Sequence, residues 1–175
     1  MKRQATSAKA IELCILTAAR SGEILGVRWS EIDFDKKIWT VPAGRMKAGL
    51  EHRVPLSLRA FAILRQLAKT SDFVFAGQTH NKPLSNMAME MVLRRMKIER
   101  ATVHGFRSSF RDWAGNVPNF PREIVETALA HVIGDKAEQA YRRSDALEKR
   151  RKLMEAWAGY CEPTNLSNVI PIHSR

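Results

Sequence analysis

Little in this chain of 175 residues is there to hold it together covalently or to carry it into a membrane. Its only cysteines are Cys14, inside an apolar run, and Cys161, near the end, so a disulfide framework is not expected. Gly and Pro are sparse at 9 and 7 residues while hydrophobic residues reach 45%, a composition that argues against global disorder. No apolar run approaches the length of a membrane span, and Met1-Lys2-Arg3 is not followed by a signal-peptide core, so the expected setting is reducing and cytoplasmic. The five histidines show no i,i+4 pair and no carboxylate or cysteine at ligand spacing, so no metal site and no cofactor are expected. There are no internal repeats and no low-complexity segment. Acidic residues are also in deficit, 18 against 29 Lys and Arg, which leaves a net charge of +11. Such a surplus points first to nucleic acid and then to an acidic membrane surface, with an inert basic surface as the plain alternative.

What is present suits one globular domain. Ala8, Ile11, Ile15 and Ala18 form one stripe of a helix over residues 5–18, which Gly22 interrupts before a short helix over 23–29. Ile32–Phe34, Ile38–Val41 and His52–Leu56 read as strands. They make a small three-stranded antiparallel sheet, with Lys47 in the polar second turn. Ser57 suits an N-cap for a helix to Leu67, and Ser85 for another in which Met87, Met91 and Met96 fill core. Residues 104–113, 122–131, 136–142 and 145–158 read as helical pieces, and 163–175 as a polar tail carrying the apolar island Val169–Ile172. The expected class is α+β, mainly α-helical, with helices around the small sheet.

Several residues suit phosphate chemistry, and each has a duller reading. Arg20 and Glu23 form Arg-x-x-Glu, an ordinary i,i+3 pair or a carboxylate that orients a phosphate-gripping fork. Lys47 alone is a solvated turn lysine, and His131 alone a helix-end histidine. His104 and Arg107 lie on one face at a helix start, where backbone donors favour an anion. Arg111, one turn on, reads as a surface or structural contact. Of the two tyrosines, Tyr141 lies ten residues beyond His131, while Tyr160 follows Trp157 and Gly159 with no such histidine and reads as packing.

In this order, Arg20, Lys47, His104-x-x-Arg107, His131 and Tyr141 resemble the active site of a tyrosine recombinase. Ala19-Arg20-Ser21-Gly22-Glu23-Ile24-Leu25, His104-Gly105-Phe106-Arg107 and His131-Val132 with Tyr141 look like the integrases of phages, prophages and genomic islands. The resemblance covers roughly residues 6 to 160. It departs at Ala130, where many relatives have glycine.

The resemblance implies the recombinase catalytic-domain fold over 1–162 without the family's N-terminal DNA-binding domains, followed by a tail at 163–175 that extends away, packs against the domain or a neighbour, or is mobile when alone, with an inert tail as the plain alternative. It implies that Arg20 and Arg107 grip the scissile phosphate, supported by Glu23, while His131 bonds a nonbridging oxygen. His104 would assist the proton of the Tyr141 nucleophile, and Lys47 would protonate the leaving 5′ oxygen. The implied partner is double-stranded DNA, with four protomers on two duplexes and a monomer when free. The implied function is DNA integration and excision through a 3′-phosphotyrosyl link. A type IB topoisomerase and a noncatalytic DNA-binding module are the alternatives. The integrase-like flanks and short Arg-to-Lys spacing argue against the first, and Tyr141 and Lys47 are unaccounted for by the second.

Overall fold

Helix α1 (Lys2–Thr17) stops because Ala18 takes a left-handed φ of 49°, which turns the chain out of the helix. The computed structural model describes residues 2–79, 81–116, 120–131 and 146–162. After Ala18 the chain is extended at Arg20 and re-enters a helix at once, as α2 (Ser21–Leu25). The Glu23 carboxylate accepts from the Arg20 backbone N–H at 3.0 Å, satisfying a donor at the start of α2. The helix break therefore lies at Ala18–Arg20, and Gly22 sits inside α2 instead of interrupting the path. A 3₁₀ turn over Trp29–Glu31 replaces the expected continuation to Trp29.

The sheet has the order β1 (Ile32–Asp33), β2 (Ile38–Val41), β3 (His52–Pro55), antiparallel throughout. Trp39 on the central strand pairs with Ile32 on one side and Val54 on the other, and is fully buried. Its indole N–H donates to Glu31 at 2.9 Å. Strand β1 ends at Asp33, whose carboxylate accepts from the backbone of Asp35 and Lys36 and closes the turn.

Helix α3 (Leu58–Arg65) starts at Ser57, whose hydroxyl accepts from the Ala60 N–H at 3.3 Å, as the sequence suggests. Helix α4 (Ala88–Arg95) begins later than Ser85 suggests, and Ser85 contributes only a backbone carbonyl. The later start sets a different phase. Met89, Val92 and Leu93 turn inward, while Met87, Met91 and Met96 are left 48, 40 and 63% exposed and are not core.

Helices α5 (Gly105–Asn116), α6 (Arg122–Ala128) and α7 (Leu147–Cys161) form the rest of the described fold. Helix α1 packs against α3, α4, α5 and α7, so it is the axis of the domain. One apolar cluster joins α1 to the sheet, α3 and α4. A second gathers Phe110, Ile124, Leu129, Leu153 and Trp157 from α5, α6 and α7. Trp157 donates its indole N–H to the Ile15 carbonyl at 2.8 Å, and the buried Arg150 donates to the Arg53 carbonyl on β3. The expected helix over 136–142 and the tail over 163–175 lie outside the described residues.

The end of α6 matters most for the site. Ala130 N–H donates to the Thr127 carbonyl and His131 N–H to the Glu126 carbonyl, with Ala130 at φ 49°. This is a Schellman turn, in which the left-handed position favours glycine. Ala130→Gly is therefore expected to raise stability by roughly 1 kcal/mol, read as a higher urea midpoint at unchanged slope.

Candidate active site

Arg107 is the residue around which the candidate site is built. The residue, on α5, is only 8% exposed. One arm donates to the Ala18 carbonyl at 2.6 Å, and another to the Leu129 carbonyl. Ala18 lies two residues before Arg20, and Leu129 two before His131. A single side chain thus ties together the backbones that carry two other candidate residues. Those bonds use two of the five guanidinium N–H groups, and three remain.

Arg20 sits at the start of α2, partly exposed at 28%, with its guanidinium donating to Glu23 at 2.7 Å. Glu23 is itself buried, so the i,i+3 pair sets the direction of the fork. Burial, then the Arg20 charge, pushes Arg107 down to about 10, opposed by Glu23, Cys14 and Glu126. Arg107 stays cationic at neutral pH. Two like charges that repel each other gain from a shared anion, because it relieves their repulsion.

His131 leaves the α6 turn with its side chain 38% exposed and Nδ1 2.5 Å from a Glu126 oxygen. The other Glu126 oxygen accepts from Arg111 at 2.9 and 2.8 Å. His104 is exposed just before α5 and gives its carbonyl to the Arg107 N–H. Lys47 is exposed on the β2–β3 connection, between the buried Met46 and Gly49 at φ 67°. Tyr141 lies outside the described residues. Its counterpart Tyr160 is 66% exposed, with its ring 5.6 Å from Trp157 and 5.7 Å from Trp113, a packing position.

Nearby arginines are occupied elsewhere. Arg45 donates to Glu31 at 2.5 Å and to the Glu23 carbonyl, while Arg28 faces Asp72 and covers the Phe73 ring at 4.4 Å. The Cys14 thiol is buried, donates to the Ala19 carbonyl, and is pushed up to about 12 by burial and then by Glu23, so it is inert. No cluster of metal-ligand side chains occurs among the described residues, and no helix there is long and apolar enough to cross a membrane.

Sequence reasoning missed Glu126 and His52. His52 on β3 donates from Nε2 to the Ala128 carbonyl at 3.3 Å, which ties the strand after Lys47 to the same α6 turn. Neither is legible from local pattern, since each partner lies across the fold or beyond a turn. Burial, then the Arg150 charge, lowers His52 to about 4. The unfolded chain binds a proton near pH 6.5 that the folded chain refuses until about 4. Stability is thus full above pH 6.5 and falls as pH drops toward 4, by roughly 3 kcal/mol. His52→Gln, which keeps an N–H donor, should flatten urea-denaturation stability across that window.

The comparisons agree with this architecture. The phage integrase family profile matches residues 1–148. Prophage integrase IntA of Escherichia coli K12 is 37% identical over 164 residues, covering 91% of this chain and 40% of the relative. The integrase of Enterobacteria phage P4 is 34% identical over 173 residues, covering 87% and 39%. The chain thus spans about two fifths of the length of these relatives. Among solved structures, the integrase from mycobacterium phage Brujita superposes with a TM-score of 0.67 at 17% identity, covering 94% of this chain and 57% of that one. XerH recombinase bound to its difH substrate gives 0.55 at 19% identity, covering 79% and 46%. At these identities the superpositions speak for the fold, that of recombinase catalytic domains.

Proposed function

Since this chain belongs to the phage integrase family, we propose that it breaks and rejoins duplex DNA in site-specific recombination. The observation that best supports this reading is the Arg107 clamp, which draws Arg20 and the His131 turn to one basic locus. Residues 1–162 would form the catalytic domain and 163–175 a tail.

The chemistry follows from charge. A phosphodiester repels nucleophiles, so fixed cations come first. Arg20, steered by Glu23, and the remaining donors of Arg107 hold the nonbridging oxygens. His131 adds a third bond. A free phenol holds its proton at neutral pH, so Tyr141 loses its proton with help from His104 as it attacks phosphorus. The P–O5′ bond breaks, and Lys47 donates a proton to the departing oxygen. A 3′-phosphotyrosyl link and a free 5′-hydroxyl result. The link conserves the bond energy, so a hydroxyl from another strand reverses the step without ATP or metal. Strand exchange then needs four protomers on two duplexes.

The test is a duplex nicked beside a randomised cleavage region, on which the released fragment diffuses away. Covalent protein–DNA adducts resisting denaturing gels are expected. Noncovalent binding alone would reduce the chain to a binding module. Relaxed circles without recombinant joints from supercoiled DNA would make it a topoisomerase.

A further inference from the structure

We propose that Glu126 is a positioning residue that holds His131 with Nδ1–H on the carboxylate and Nε2 turned to the phosphate. The inference rests on the recombinase reading of His131 given above. The two residues are joined twice. The His131 backbone N–H donates to the Glu126 carbonyl at 2.9 Å, and the Glu126 side chain meets Nδ1 at 2.5 Å. The Schellman turn brings the residue after Ala130 back over Glu126, so one turn supplies both contacts.

Hydrogen-bond roles then decide the ring's state. An ionised carboxylate only accepts, so Nδ1 must carry the proton. Glu126 is buried, with its side chain 10% exposed, and its second oxygen is taken by Arg111 from α5. Burial works to raise its carboxyl, but the hydrogen bonds from His131 and Arg111, with their charges, outweigh this and leave it lowered. The group is therefore ionised when it meets the ring. Arg111 lies one helical turn beyond Arg107, so α5 holds both the backbone of the α6 turn and the carboxylate that aims its histidine.

A phosphate oxygen also only accepts. For His131 to bond it, Nε2 must be protonated as well, so the form that engages phosphate is the imidazolium. Glu126 supplies its counter-charge on the far side of the ring.

The test is made on this chain, ¹⁵N-labelled, through long-range ¹H–¹⁵N spectra of the imidazoles at pH 8. His131 signals are assigned by their loss in His131→Asn. The expected neutral tautomer is Nδ1–H. In Glu126→Ala and the near-isosteric Glu126→Met, which preserves the packing of α6, it should shift to Nε2–H. Single-turnover cleavage of the nicked duplex should fall about 10- to 100-fold in both, the range seen for carboxylates that orient metal-bound histidines, with duplex binding little changed. A wild-type Nε2–H tautomer overturns the proposal, and so does an unaltered tautomer in Glu126→Met. Full cleavage in Glu126→Met while Tyr141→Phe is dead would remove the role of Glu126 and leave the recombinase reading standing. Absence of cleavage in the unmutated chain would strike that reading and leave the tautomer result to be judged alone.

Discussion

Tyr141→Phe is expected to abolish covalent attachment to the nicked duplex while noncovalent DNA affinity stays within a factor of about two, since only the attacking oxygen is removed. Tyr160→Phe is the matched control, because it removes the only other phenol in the chain. The Tyr160 ring lies against Trp113 and Trp157 at the end of α7, and Phe preserves those ring contacts. Attachment should survive in Tyr160→Phe. The measurement is a denaturing gel of labelled duplex. Loss in Tyr160→Phe with retention in Tyr141→Phe would reverse the assignment.

The second large effect separates the two arginines. Arg20→Ala and Arg107→Ala should each slow cleavage by on the order of 10³ or more, as for other arginines that stabilise phosphoryl transition states. Their effects on the fold should differ. Arg20 is partly exposed and its removal leaves the Glu23 carboxylate bonded to the backbone N–H at residue 20. Arg107→Ala strips a buried donor from the Ala18 and Leu129 carbonyls, at a cost of about 1–3 kcal/mol for the groups left unsatisfied. Urea midpoints beside single-turnover rates test the contrast. An Arg107→Ala chain as stable as the unmutated one would mean that the clamp does not hold the site together. Cleavage undiminished in Arg20→Ala would remove that residue from the phosphate grip.

Much of this architecture was legible because its signals are local. The β-branched and aromatic residues of 38–41, the extended pattern of 52–55 and the polar turns around them mark the strands, and Ser57 marks a helix start. The helix break near Arg20 is less legible. The flexibility of Gly22 points to a break there, while the turn is made by Ala18, whose left-handed φ no propensity favours. Met87, Met91 and Met96 suggested a core stripe, but helical spacing cannot say which stripe faces inward once the start of the helix shifts. The candidate site shows the same division. Arg20-x-x-Glu23 and His104-x-x-Arg107 are short-range patterns and Glu126 meets His131 across the turn that ends α6, whereas Arg111 reaches Glu126 only because α5 lies beside α6.

The sequence by itself determined the element types, the basic character of the chain and the order of chemically competent residues, since periodicity, charge and residue identity are properties of the chain read in one dimension. Tertiary structure alone decided that Arg107 is a buried clamp as well as a cation, that His52 latches β3 to the α6 turn, and that Arg111 of α5 holds the carboxylate that meets His131. Each of these depends on a carbonyl or carboxylate brought from an α-helix or turn beyond the residue's own. Burial there removes the competing water, so such contacts set direction and protonation in a way that no spacing along the chain encodes.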